Sequence, residues 1–420
     1  MNTPDAVAQQ NAAIQASLEH FTSGVKSYSH ISTQNAGKTG IQESCEVAAA
    51  HTSLVLDAVN LLRAVKGPVD MVFSHFENAA HTGAVRALLE MGVFHALPMD
   101  ESSMTATELA EKLNVNKLLL VRLMRAATPA GPFKEVGVEE YAHTPYSKLY
   151  LVPELGGVFK LMIDEYMPPK AKLYEFLKET KWQNPESEQS NPYTFAHRTD
   201  GETMWEHMAH FPDREKMFNF GMQAQTAATN WTIAIYPWVE ALKDLESTED
   251  SILVVDVGGG KGHASKQIRQ FLGEKKGKVI LQDRPSVIAD ISEELPGVER
   301  MGYDFFTPQP IQGAFIYYIR RCLHDWSDTS CTTILSTIAK AMSPSSRLVI
   351  AEMVIPEQGA GLEAAWYDIT MMTLNGRERT RKDFEQILEP AGLRISNVIT
   401  VPGTNYGVVE ARLAEAGNGN

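Results

Sequence analysis

Cysteine is scarce: the 420 residues hold three, Cys45, Cys322 and Cys331. None falls in a CxxC pair and three thiols cannot build a disulfide framework, so reduced thiols in a cytoplasmic enzyme are expected. Basic charge is also in deficit. Asp and Glu number 52 against 38 Lys and Arg, a net charge of −14, whereas a nucleic-acid surface needs clustered cations. No uninterrupted apolar run approaches the ~18 residues that span a bilayer. The opening Met1-Asn-Thr-Pro-Asp-Ala6 has neither the basic nor the apolar region of a secretory signal. Neither a nucleic-acid nor a membrane partner is therefore expected. What is present is ordinary: 44% apolar and 8% aromatic residues, a soluble globular composition long enough for two or three domains.

Residues 1–48 are polar and rich in Ser, Thr and Gln, with weak helical patterning, and are expected to be partly disordered. Helical spacing then sets in (Leu54, Leu56, Val59, Leu61, Leu62) and breaks at Gly67-Pro68. Shorter helices are expected at Ala84–Phe94, Thr105–Asn114 and Lys117–Ala127, the second opened by a capping box of Thr105 and Glu108. Two β runs, Phe133–Val136 and Glu140–Thr144, complete a winged-helix-like region over 49–155. Its would-be recognition helix carries only Lys117, Arg122 and Arg125, too little positive charge for DNA. Residues 156–250 read as a helical connector to the substrate pocket, interrupted by the polar loop Lys181–Asn191.

From residue 251 to 414 the texture changes to alternating strands and helices. The strand-like runs are Ile252–Val257, Lys278–Gln282, Ala314–Ile319, Arg347–Glu352, Arg394–Val401 and Gly407–Arg412. The fold class is thus α/β, a doubly wound and mostly parallel sheet, and the last two runs form a hairpin that makes the final strand antiparallel. Residues 415–420 read as a tail.

The chemistry is concentrated at strand ends, where ligands bind in such sheets. A buried strand ends in Asp256 and enters Val257-Gly-Gly-Gly-Lys-Gly-His263, with glycines at Gly258, Gly260 and Gly262. A dinucleotide loop has the spacing G-x-G-x-x-G, and its third glycine position is His263 here, which argues against NAD and FAD. An acidic strand end before G-x-G-x-G suits a ligand with a free ammonium and carboxylate, such as S-adenosylmethionine. Asp283, at the end of the next strand, can accept both ribose hydroxyls. His324 follows a later strand, and Glu352 and Glu378 fall at further strand ends. A histidine bracketed by carboxylates has what a general base needs, a pKa near neutrality and a partner that fixes its tautomer. Asp325 and Asp328 beside His324 lack a second His or Cys at ligand spacing, so no metal site is expected.

Six segments carry a resemblance: Asp256-Val-Gly-Gly-Gly-Lys-Gly262, Gln282-Asp283-Arg284-Pro, Gly302-Tyr-Asp304-Phe305-Phe, His324-Asp-Trp-Ser-Asp328, Ala351-Glu352-Met and Asn375-Gly-Arg-Glu378-Arg-Thr380. With them the chain, from about Val69 onward, resembles the class I S-adenosylmethionine-dependent O-methyltransferases of the caffeate/isoflavone type, including the fungal secondary-metabolite branch and its methyltransferase-like pericyclases. The resemblance implies a seven-stranded catalytic sheet and makes the winged-helix-like region a dimerisation domain, so a homodimer is implied. It places the cofactor on Asp256, Gly258, Gly260, Asp283, Arg284, Asp304, Phe305 and Arg320, the ribose on Asp283 and the adenine near Asp304 and Phe305. His324 becomes the base, with Glu352 and Glu378 beside it. On the acceptor side it points to Met222, with Met371 and Asn375, while in the pericyclase branch His143 and Arg321, with Arg320, would hydrogen-bond a substrate carbonyl. The sequence departs from the family pattern at Ala127-Thr-Pro-Ala-Gly-Pro132 and at Arg321, an extra cation between cofactor contact and base. The expected activity is methyl transfer to a hydroxyl of a small secondary metabolite. The competing expectation is a pericyclase that binds the cofactor without spending its methyl.

Overall fold

Strand-forming residues gather into two sheets in the structure, a computed structural model that describes residues 3–38, 41–100 and 102–414. The smaller sheet joins β1 (Met104–Thr105), β2 (Phe133–Gly137) and β3 (Glu140–His143) in the antiparallel order β1-β3-β2. The larger contains β4 (Ile252–Val257), β5 (Lys278–Asp283), β6 (Val298–Gly302), β7 (Ile316–Arg320), β8 (Arg347–Ile355), β9 (Arg379–Thr380), β10 (Leu393–Thr400) and β11 (Tyr406–Leu413).

Two compact units partition the chain. The first takes the residues up to Ser23 together with Asp57–Ala171 and Glu202–Ala227; the second takes Gly24–Leu56, Lys172–Gly201 and everything from Ala228 onward. The expected connector at 156–250 is therefore not one body, because its stretches are shared between both units. The tail at 415–420 lies outside the described residues.

The first unit is built on a core of Leu88, Phe94, Leu109, Leu120, Met124 and Phe133. Its helices begin where the sequence supplies caps. Thr105 Oγ1 accepts the Glu108 N–H at 3.3 Å while the Glu108 carboxylate accepts the Thr105 N–H at 2.8 Å, opening the helix Ala106–Leu113. Asn116 caps Lys117–Ala127 through its side-chain oxygen, which accepts the Leu119 N–H. Satisfying end groups in this way contributes about 1 kcal/mol per cap.

The opening segment differs from expectation. Pro4–Gln34 is a 31-residue helix with no buried residue; after Pro4 it holds no proline, and its Ala and Gln residues favour a helix even without a core to face. A second long helix spans Ile41–Met91 and is broken at Gly67, whose φ of 68° and ψ of 176° are not helical, just before Pro68. Its stretch Glu43–Met91 is long enough to cross a membrane, and one 18-residue window within it is apolar enough by composition alone, at a mean hydropathy of 1.2 and with none of the window buried. It contains no unbroken apolar run of that length, because its apolar residues are interspersed with polar ones. Leu62, Val69, Val72, Phe73 and Phe76 on this helix are exposed.

In the second unit the sheet order is β10-β11-β8-β7-β4-β5-β6, with β9 paired to the end of β8. Seven strands form the expected path and β9 is an eighth, two residues long. All neighbours are parallel except β11, which is antiparallel to both β8 and β10. Besides β9, two strands differ most from the expected runs. β6 is an edge strand with exposed Glu299 and Arg300 and so has no apolar signature. β8 runs on to Ile355 rather than closing at Glu352. The sheet is covered on both faces, by Ile334, Leu335 and Ile338 of helix Asp328–Ala341 on one side and Ile268 and Leu272 of helix His263–Leu272 on the other.

Candidate active site

The carboxyl ends of β4 and β5 build a backbone cradle. Gly258 and Gly259 N–H both donate to Gln282 O, at 2.8 and 3.1 Å, and Gly260 N–H donates to Asp283 Oδ2 at 2.8 Å. Gly258, Gly260 and Gly262 have φ of 71°, 59° and 83°, a region that side-chain-bearing residues adopt only at a cost. Gly259 is required for space instead: a Cβ there would lie 2.5 Å from Leu281 and 2.6 Å from the Asp256 carboxylate. Asp256 is buried; its Oδ2 accepts the Ser265 hydroxyl at 2.6 Å, and its Oδ1 has no hydrogen-bond partner among the described residues. Burial pushes its carboxyl up to about 6, with the Ser265 bond and the Arg320 charge pulling the other way. A buried oxygen left open beside a glycine turn is the donor-seeking group a ligand ammonium would satisfy.

The remaining cofactor-side expectations ring this cradle. Asp283 Oδ1 accepts the Arg284 N–H at 2.8 Å, and the Arg284 side chain is exposed. Asp304 is exposed and caps its own turn, accepting the Phe306 N–H at 3.0 Å. The Phe305 ring reaches to 3.6 Å from where a Gly258 Cβ would be and meets Trp326 edge-on at 5.8 Å. Arg320 ends β7 and donates from Nη2 to Thr229 O and Oγ1, both at 2.9 Å, and to Thr232 Oγ1 at 3.2 Å. Ser265, Thr229 and Thr232 escape sequence reading, since small hydroxyl residues carry no pattern of their own.

His324 sits on a short 3₁₀ turn, Leu323–Asp325, after β7 and is buried. Its Nδ1 lies 2.7 Å from Glu378 Oε1 and 3.9 Å from Glu352 Oε2, and its Nε2 lies 3.6 Å from Asp325 Oδ1. Burial alone would lower the imidazole pKa, but the charges of Glu378, Asp325 and Glu352 outweigh it and hold it up at about 9. The two glutamates are driven apart. Burial raises Glu352, whereas attraction to His324 overcomes burial at Glu378 and lowers it. Glu378 is thus the ionised partner of Nδ1–H, which leaves Nε2 as the proton acceptor.

Glu352 instead braces the backbone. Its Oε1 accepts the N–H of Cys322 at 2.8 Å and of Leu323 at 3.0 Å, fixing the turn that carries His324. His324, Glu352 and Glu378 offer ligand atoms within 4.8 Å of one another. Two ligands about 2 Å from one tetrahedral ion stand about 3.3 Å apart, so the 2.7 Å His324–Glu378 contact is a hydrogen bond that leaves no room for an ion between those atoms.

The loop Asn375–Arg379 grips this turn from outside. Arg377 N–H donates to His324 O at 2.9 Å, and a Cβ on Gly376 would come within 2.1 Å of that oxygen. Arg379 is buried and donates to Leu323 O, Trp326 O and Asp328 Oδ1 at 2.9, 2.9 and 2.7 Å. Asp368 Oδ1 accepts the Glu378 N–H at 2.9 Å. Sequence reading misses the roles of Arg379 and Asp368, although Arg379 is the second arginine of the Asn375–Thr380 motif.

Among the acceptor-side expectations, Arg321, Met371 and Asn375 belong to the second unit. Met371 is buried on helix Leu362–Met372, and Asn375 is buried with a φ of 75° and an Nδ2 that has no partner among the described residues. His143 and Met222 belong to the first unit. His143 is a core residue there: its Nδ1 meets Ser147 Oγ at 2.7 Å, its ring lies 5.9 Å from Phe133, and burial lowers its pKa. Met222 is half-buried on helix Pro212–Ala228.

Comparison with known proteins converges on one family. A family model for an O-methyltransferase domain matches residues 177–394, and one for an O-methyltransferase dimerisation domain matches 73–153. The O-methyltransferase kntB of Aspergillus niger is 44% identical over 384 residues, 91% of this chain and 93% of that protein. The crystal structure of OxaC in complex with sinefungin and meleagrin superposes with a TM-score of 0.81 at 35% identity, covering 96% of this chain and all of that one. A pericyclic reaction enzyme matches with a TM-score of 0.76 at 25% identity, covering 93% and 100%.

Proposed function

We propose, for a chain that belongs to the S-adenosylmethionine-dependent O-methyltransferases, that it methylates a hydroxyl of a small aromatic or polyketide-derived acceptor with His324 as the general base. The observation that carries this reading is the 2.7 Å bond from His324 Nδ1 to Glu378, which orients the ring and leaves Nε2 available for the acceptor's proton. The bound cofactor supplies an electrophilic methyl on a sulfonium. Asp256 and the turn Gly258–Gly260 would hold its charged amino-acid end and Asp283 its ribose. Arg320 holds the neighbouring 3₁₀ turn, Asn230–Ile235, through Thr229 and Thr232. The protein's share of the reaction is to align the oxygen and take its proton, for which a positioned base contributes about 10²–10⁴-fold.

The relatives' names support the acceptor class, among them a demethylsterigmatocystin 6-O-methyltransferase of Aspergillus parasiticus at 33% identity over 308 residues. The dimerisation-domain match and the exposed apolar residues of helix Ile41–Met91 support a homodimer. The test follows methyl-labelled cofactor with purified protein and candidate phenols. Label is expected in the product with wild type and lost with His324→Ala, while cofactor affinity stays unchanged. Equal loss of both in the variant would remove the base assignment.

A further inference from the structure

Arg321 is the residue of the second unit whose chemistry is least accounted for by the protein itself. It follows β7 in a left-handed conformation, φ 46°, with its backbone N–H tied to Ala351 O at 3.1 Å. Only glycine enters that region freely, so the turn is over-determined by its surroundings and the side chain is aimed by them. The guanidinium lies against two rings, 5.2 Å from Tyr367 and 6.0 Å from Tyr406. Nη1 and Nη2 are both buried, and neither makes a hydrogen bond to any described residue.

Each nearby glutamate has one oxygen committed elsewhere and a second, Oε2, that is buried without a hydrogen-bond partner among the described residues, and neither carboxylate hydrogen-bonds the Arg321 fork. Glu352 Oε1 takes two backbone N–H groups and Glu378 Oε1 takes His324, yet both feel the Arg321 charge. Aromatic faces stabilise a cation but accept no N–H in its plane. A buried fork of two unused donors, three residues before the base, is poised to meet an acceptor atom on a ligand.

We propose that Arg321 determines acceptor specificity by receiving a carbonyl or carboxylate oxygen on the same small molecule whose hydroxyl faces His324, so that the acceptor class is a hydroxyl with a neighbouring carbonyl-type oxygen. The proposal rests on the methyl-transfer reading for the identity of the ligand, but it can be tested apart from turnover. Two donors on one planar group match such an oxygen, and removing that oxygen leaves the donors buried and unmet, which sites of this kind discriminate against strongly.

The experiment measures binding of an ortho-hydroxyaryl ketone and of its ethyl analogue, which lacks the carbonyl, to protein loaded with S-adenosylhomocysteine, by calorimetry. Wild type is expected to favour the ketone by about tenfold or more. Arg321→Gln and Arg321→Lys are both expected to erase that preference while leaving the affinity for S-adenosylhomocysteine unchanged. Lysine keeps the charge but not the fork, so a preference that survives Arg321→Lys overturns the proposal. So does wild type that binds both compounds alike, or neither. Methyl transfer to the ketone is scored separately. Arg321-dependent ketone preference without any transfer supports the proposal and removes the methyl-transfer reading.

Discussion

Two turns leave adjacent strands of one sheet, and they are built on opposite principles. The turn after β4 takes its shape from its own glycines and is stitched to the next strand by backbone bonds, Gly258 and Gly259 N–H to Gln282 O. The turn after β7 contains no glycine. It holds a strained arginine at position 321 and is braced from far along the chain, by the side chains of Glu352 and Arg379 and by the backbone N–H of Arg377. The first presents tightly turned backbone beside a buried carboxylate oxygen that has no partner among the described residues, as suits a cofactor common to a family. The second presents side chains that can be exchanged one at a time, as suits a base and an acceptor pocket.

Breaking each turn should therefore look different. The largest effect is expected from His324→Ala, a fall of about 10²–10⁴-fold in kcat with cofactor Kd unchanged, read by label transfer and calorimetry. Next is Arg379→Met. It removes the charged donor from the oxygens of Leu323 and Trp326, leaving them the Trp326 N–H and the weakly donating Cys331 thiol, and it unpairs Asp328 Oδ1, so a loss of roughly 3 kcal/mol by denaturant titration is expected together with a lower kcat. The glycine turn offers an internal contrast. Gly259→Ala must push aside Leu281 and the Asp256 carboxylate and should cost about 3 kcal/mol and most cofactor binding. Gly260→Ala meets nothing within 4 Å and should cost only the backbone penalty, about 1 kcal/mol. Equal costs at the two positions would mean that conformation rather than space governs the turn.

The subtlest difference is in pH dependence. Because only neutral imidazole accepts a proton and His324 is held up at about 9, kcat/KM should climb with pH toward about 9 and then level off. Glu378→Gln removes the strongest charge raising that pKa, so the residual activity should reach its plateau at lower pH. A rising limb that does not move would detach Glu378 from the base.

The same contrast decides what is legible without coordinates. Local devices are: the Thr105 capping box, the Gly67-Pro68 break, the glycine turn and the closing hairpin each lie within a few consecutive residues. The bracketing of His324 by Glu352 and Glu378 is expected from the family pattern, but the division of labour between them is not. Glu352 bonds backbone N–H groups about thirty residues away, and no spacing rule reports which oxygen meets which partner. Arg379 is silent for the same reason, since Leu323, Trp326 and Asp328, which it bonds, lie more than fifty residues back. Pro4–Gln34 escapes from the other side: without a buried stripe, a helix leaves almost no periodic trace.

The position of β11 has a consequence for how this chain is made. It is the last of the described strands to leave the ribosome, yet it is not an edge; it slots between β8 and the earlier-made β10. Until it emerges, β8 displays an unpaired row of N–H and C=O groups along one of the most apolar strands in the molecule, a template for a neighbouring nascent chain. Chains stopped before Tyr406 should therefore accumulate as aggregates rather than as active enzyme, and the demand for chaperones should be greatest in the interval before β11 pairs with β8.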